Sequence, residues 1–362
     1  MKYKTSIILI VLFAKFSFAQ IGLTYYNEAF EKLNNMLNDK SELSFKDAVF
    51  TVENAYMNNT LDYAYFNHRI QSLATFSKAI IKSRTLIYDF DDRKEVEKYS
   101  ALFTLMTDSV PIQIDSNTIV YSQPYTYDFN DIWGNKDWKN MFVIKLLETQ
   151  KGNCHSLPFL YKILAEEIGA KAYLAIAPNH FYIKHKNMAN GWYNTELTSG
   201  MFPIDAWLMA SGYIHLDAVV NKLYMEALNE KQSIAICMVD LAKGYEKKYS
   251  DFDRNFIIQC CDTALKYYPN YINALILKAE TKKKQFEDLM QKYYAEYAKE
   301  ILDKPEAKQL FEEMTALYGQ IHKLGYRKMP EEMYLKWLTS LKEQRKLYEN
   351  KNIINFTKSK QK

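Results

Sequence analysis

Glycine is scarce in this chain: there are ten in 362 residues, and six of the ten fall between Gly134 and Gly212. Turn-rich structure is therefore expected in the middle of the sequence, with helices on either side. Cysteine is scarcer still, at four, too few for a disulfide scaffold at this length. Cys237, Cys260 and Cys261 fall in helical sequence, and Cys261 shares a stripe with Ile257, Ala264 and Leu265, a core pattern. A bridge between the adjacent Cys260 and Cys261 would be strained. Past the first residues no apolar run is long enough to span a bilayer. Net charge is +4 and no dense basic patch is interleaved with aromatics, so nucleic acid is not an expected partner. His185 and His215 with Cys154 fit no zinc-ligand spacing, so neither a metal nor another cofactor is expected.

What the chain has in plenty is aromatic side chains, 29 Tyr and 20 Phe, enough to build cores and grooves on rings. It also has a secretory pattern over residues 1–19. Lys2 and Lys4 form the charged start, Ile7 to Ala14 the short apolar core, and Ser17-Phe18-Ala19 the small-residue cleavage site. The mature protein is expected to be exported, to a periplasm, with no membrane span. Three further regions follow: a helical N-terminal region over 20–100, a mixed core over 101–218, and a helical domain over 219–362.

The most informative stretch runs from Gln150 to Gly200. Asn153 is a favoured helix cap after Gly152, and Leu157, Leu160, Tyr161, Leu164 and Ile168 follow at helical spacing before Gly169. Pro158 belongs in a first turn, so helix is expected from about Ser156, with Cys154 at the junction. Helix-start N–H groups and the dipole favour a thiolate there and offer a place for an oxyanion. A free cysteine is more often a small buried hydrophobe. In an oxidising compartment an unpaired Cys154 needs a reason, and catalysis supplies one. Gln150, four residues upstream, is a further oxyanion candidate; a surface helix end is the alternative.

Lys171 to Ala177 reads as a buried strand, His180 to Lys186 as a second, and Trp192 to Thr198 as a third. Trp192, Asn194, Glu196 and Thr198 share one face of the third. Register decides what meets His180. If Asn187 to Gly191 form the loop, Lys186 opposes Trp192, His180 opposes Thr198, and Glu196 lies diagonal to His180. A two-residue Asn190-Gly191 turn would carry Glu196 away. The residues for a thiol nucleophile, its base and the base's orienter are thus Cys154, His180 and either Glu196 or Asn194.

These residues resemble the transglutaminase-like superfamily of cysteine enzymes. Gly152-Asn153-Cys154 is similar to that family's cysteine segment and His180-Phe181-Tyr182 to its histidine strand. Gly191-Trp192 followed by Glu196-Leu197-Thr198 resembles its Trp…Asp-Pro-Thr, with Glu for Asp and Leu for Pro. The resemblance covers roughly residues 125–215. It implies an α+β fold in which a helix-start cysteine packs on an antiparallel sheet. It also implies a thiol peptidase or amidase working through an acyl-thioester on a peptide or protein substrate, hydrolysis favoured over transamidation. The other reading is a non-catalytic binding module on the same fold.

The flanks say less about chemistry. Ser44 to Met57 reads as a capped helix with Phe45, Ala48, Val49, Val52 and Ala55 on one face, and Leu61 to Tyr88 continues with Tyr65, Ile70, Leu73, Phe76 and Ile80. His68 reads as a surface or structural histidine. Val110 to Tyr127 is strand-like and loop-like, and Trp138 to Glu148 helical. Phe202 to Leu216 is either one side of a groove or core closure. Asp262 to Asn270 and Tyr271 to Ala279 resemble parts of tetratricopeptide repeats, which implies a C-terminal surface for a protein partner.

Overall fold

A computed structural model describes residues 23–113, 117–249, 253–348, 350 and 353. The secretory pattern over 1–19 and the lysine-rich tail over 358–362 lie outside the described residues. Helix α1 spans 23–37, α2 Phe45–Tyr56, α3 Tyr63–Ser83 and α4 Arg93–Thr107. Strands β1 (Val110–Gln113), β2 (Ile119–Ser122) and β3 (Thr126–Tyr127) follow. Then come α5 (Val143–Thr149), β4 (Lys151–Gly152), α6 (Ser156–Glu167), β5 (Tyr173–Ala177), β6 (His180–Asn187) and β7 (Gly191–Thr195). The remaining helices are α7 (Asp205–Ser211), α8 (Leu216–Val220), α9 (Glu230–Lys248), α10 (Arg254–Tyr267), α11 (Ile272–Lys292), α12 (Pro305–Lys323) and α13 (Glu331–Tyr348). The architecture is α+β, helices with small sheets, and among the described residues no helix is long and apolar enough to cross a membrane.

The chain forms two compact units, and each is discontinuous. One takes the residues up to Leu61 together with Glu230–Tyr326; the other takes Asp62–Asn229 together with Arg327 onward. Boundaries read from composition, at 101 and 219, do not coincide with these. In the first unit, α9 to α12 pack each on the next and α2 packs on α9. Tyr26 of α1 is buried among Tyr245, Tyr249 and Phe256, with its ring 4.9 Å from that of Tyr245. Ser44 caps α2 by accepting the Asp47 N–H at 3.1 Å. The Cys237, Cys260 and Cys261 side chains are buried in this unit without forming disulfides, and burial pushes the Cys261 thiol up to about 12.

The second unit holds the candidate site. Its sheet is antiparallel in the order β5-β6-β7, and α6 packs against β5 and β6. Leu157 through Ala165 are all buried, so α6 is a central helix enclosed on every side rather than one with a single apolar stripe. Lys186 pairs with Trp192 and Asn187 with Gly191, which leaves Met188-Ala189-Asn190 as the hairpin loop. Gly191, at φ +68°, makes that turn at no steric cost. Strand β7 ends at Thr195, short of Thr198. Glu196 instead bridges Met201 through two backbone hydrogen bonds of 2.8 and 3.0 Å, closed by Gly200 at φ +62°.

Other local readings change in the folded chain. The helix expected over Trp138 to Glu148 divides into a 3-10 turn, Trp138–Met141, and α5, because Phe142 between them is extended. In α3, Ile70, Leu73 and Ile80 of the expected stripe are buried, but Tyr65 is 43% exposed and Phe66 beside it takes its place in the core. His68 is exposed. Phe202, Trp207 and Leu208 are buried, which makes that stretch core closure rather than groove.

Candidate active site

The site is built from the start of α6. The Asn153 side-chain oxygen accepts the N–H groups of His155 (2.9 Å) and Ser156 (3.2 Å), and Ser156 Oγ accepts the Asn153 N–H at 3.0 Å. This reciprocal cap fixes the residue between, Cys154, at the helix entrance. It also occupies the His155 and Ser156 N–H groups, so these two are not available to an oxyanion, contrary to the expectation from helix position alone. Replacing Asn153 with Ala is expected to lower the denaturant-measured stability by about 1–2 kcal/mol, in the upper part of the range for lost caps.

His180 opens β6 immediately after the left-handed Asn179. Its ring Nε2 lies 2.5 Å from Glu196 Oε2, and the other oxygen of Glu196 accepts the Thr198 N–H at 2.7 Å. The second ring nitrogen, Nδ1, lies on the Cys154 side. The hairpin register brings His180 and Glu196 together, and the bridge to Met201 turns Glu196 inward. Asn194 is directed elsewhere: its amide donates to Pro203 O at 3.0 Å and to Asp205 Oδ1 at 2.7 Å. The geometry therefore places Glu196, not Asn194, on the imidazole. Gln150 is the left-handed cap of α5 at φ 55°, and its amide reaches Gln123 O at 3.4 Å; the structure does not engage it with Cys154.

All three groups are buried, and their ionisation follows from one another. Burial alone would raise the Cys154 thiol, but the hydrogen bond and charge of His180, with a further hydrogen bond from Tyr334, carry it below the ordinary thiol value. Burial alone would lower His180; the Glu196 charge and the hydrogen bond to Cys154 outweigh it and raise the imidazole to about 10. Glu196, which burial pushes up, is held below the usual carboxylate value by His180 and by Thr198. These shifts run in the direction that favours a thiolate beside an imidazolium whose far side rests on a carboxylate.

The residues that sequence reasoning misses come from α13. Tyr334 donates its hydroxyl to Cys154 Sγ at 3.3 Å, and the same oxygen lies 3.3 Å from His180 Nδ1. Trp337 meets the His180 ring edge-on at 4.8 Å, and Trp133 packs against the Tyr334 ring at 4.9 Å. Tyr334, Trp337, Leu338 and Leu341 form an ordinary buried helical stripe, and nothing local marks which surface the stripe covers. Among the described residues no group of three or more His, Cys, Asp or Glu side chains is arranged to hold a metal ion.

No protein-family model matches the sequence, and no curated protein sequence matches it. A solved structure described as "Crystal structure of menin reveals the binding site for Mixed Lineage Leukemia (MLL) protein" is similar at 10% identity and a TM-score of 0.31, over 92% of this chain and 98% of that one. A likeness of that size supports no statement about this chain's fold or activity.

Proposed function

We propose that this chain is an exported, periplasmic thiol enzyme with a transglutaminase-like core, acting on amide bonds of a peptide or protein. One observation carries the reading: a single buried imidazole is bonded at 2.5 Å to a carboxylate through Nε2, and its Nδ1 meets at 3.3 Å the same Tyr334 hydroxyl that donates at 3.3 Å to a helix-start thiol. In the reaction Cys154 Sγ bonds to the carbonyl carbon, and His180 passes a proton from Nδ1 to the departing amine as the C–N bond breaks. Water then attacks the thioester, giving its proton back to His180 and releasing the acid and the thiolate. Glu196 holds the ring oriented and balances the imidazolium throughout. Hydrolysis rather than transamidation follows the sequence resemblance. A hollow of about 290 Å³, lined by Tyr127, Phe129, Leu197 and Thr198 among others, lies against the residues that follow Glu196 in the chain.

A second reading has its own support. Tyr334 and Trp337 cover the pair, and a permanently covered pair suits a binding module whose tetratricopeptide-like helices recruit a protein. The test is a titration of thiolate absorbance at 240 nm, read as wild type minus Cys154→Ala. Because the folded thiol value is lowered, the thiolate signal is expected to persist as pH falls well below the ordinary thiol range of about 8.5, and to move up into or above that range in His180→Ala. A Cys154 that titrates at 8.5 or higher in the wild type removes the enzyme reading.

A further inference from the structure

We propose that α13 is an intramolecular plug, so that the Cys154–His180 pair meets substrate only when this helix is displaced. The proposal rests on the thiol-enzyme reading and concerns the regulation of that site. Tyr334 is fully buried, and its hydroxyl touches the nucleophile and the base at the same distance of 3.3 Å. A substrate carbonyl carbon has to come within about 3–3.5 Å of Sγ before attack. The amine it releases has to stand against Nδ1 to receive the proton. The Tyr334 hydroxyl fills the place that serves both needs, so substrate and Tyr334 exclude one another.

The rest of the helix closes what Tyr334 leaves. Trp337 lies on the His180 ring and stacks on Trp207 at 6.0 Å. The opposite face of α13 is open to solvent: Met333 is 42% exposed, and the Glu332–Lys336 ion pair stands free of the core. The helix is tethered at both ends. Met329 is buried before it, while beyond it the Asn350 N–H reaches Phe202 O at 2.7 Å and Ile353 is buried. Residues 326–330 leading in carry no regular structure, and Arg327 and Lys328 there are exposed. One stripe and two short tethers hold an element that opens without disturbing α6 or the sheet beneath it.

The test is carboxymethylation of the full chain by iodoacetamide at pH 7, followed by intact mass. Variants are Tyr334→Phe, Trp337→Ala and the double Tyr334→Ala/Trp337→Ala, each with and without His180→Ala. Wild type is expected to label slowly, and the double variant to take up one adduct at least tenfold faster, with most of the gain lost when His180 is also replaced. Cys237, Cys260 and Cys261 are buried and report unfolding, because a chain that opens globally gains more than one adduct. A wild type that labels as fast as the double variant, or a double variant that stays slow with one adduct, overturns the plug. Faster labelling that is indifferent to His180 leaves the plug standing and sinks the thiol-enzyme reading instead. If the substituted chains all take several adducts, hydrogen exchange of the wild type decides. The amides of residues 334–341 are expected to exchange well before those of 160–164, and exchange as late as α6 overturns the proposal.

Discussion

Glu196→Ala is expected to destabilise the protein by about 3–5 kcal/mol, the range for removing one partner of a buried ion pair. The loss has two parts. His180 is left buried with only the Cys154 thiol group to balance its charge, and the Thr198 N–H, which Glu196 accepts at 2.7 Å, is left without its carboxylate. The pH dependence follows from the directions of the shifts. His180 is raised in the fold, so its contribution is complete below its unfolded value of 6.5 and is lost as pH rises through about 10. Glu196 is lowered, so its contribution is complete above its unfolded value of 4.5 and is lost as pH falls through its depressed folded value. The gap between wild type and Glu196→Ala is therefore widest at about pH 5–6 and narrows toward pH 10. Urea unfolding of both chains at pH 5.5, 7 and 10 measures it. A gap below about 1 kcal/mol at pH 5.5 would mean that the pair contributes little beyond what a packed apolar contact could.

Gly152→Ala is expected to cost about 1–3 kcal/mol as an overpacking substitution and to move Cys154 as well. The glycine's backbone is not left-handed; close approach is what requires it. A Cβ built there would overlap Ser156 Oγ and stand 2.9 Å from Leu146 Cδ1. Ser156 Oγ is not free to swing away, because it accepts the Asn153 N–H at 3.0 Å and donates to Asn140 O at 3.2 Å. Making room thus breaks the cap that sets Cys154 at the mouth of α6. Denaturant midpoint and the 240 nm titration should change together, the thiol returning toward its ordinary range. An alanine variant as stable as wild type, with its thiolate intact, would show that the first turn of α6 can shift without consequence.

The geometry of this region was legible in the sequence where the information is local. Asn153, Ser156 and Pro158 mark where α6 begins, and the five residues from Asn187 to Gly191 carry the register that sets Lys186 opposite Trp192. Glu196 and Asn194 could not be separated that way, since they alternate on one face. Their fates diverge because β7 stops at Thr195 and the bridge to Met201 re-aims Glu196. Gln150 looks well placed by distance along the chain, but its left-handed backbone sends the amide to Gln123. Tyr334 lies 180 residues from Cys154, and helical periodicity states only that its face is buried, not what it is buried against. The same limit applies to the two units, because α1 and α2 carry no local sign that they pack with helices beginning near residue 230.

The discontinuity of those units sets an order of events as the chain is made. The residues that hold Cys154, His180 and Glu196 are complete once Asn229 has emerged, but the helix that covers them belongs to the stretch after Arg327. At roughly 5–20 residues per second, synthesis of the intervening segment takes about 5–20 s. A nascent chain that folds as it emerges therefore passes through an interval in which the nucleophile is assembled and uncovered. A chain stopped between Asn229 and Tyr334 would keep that exposed thiol for its lifetime.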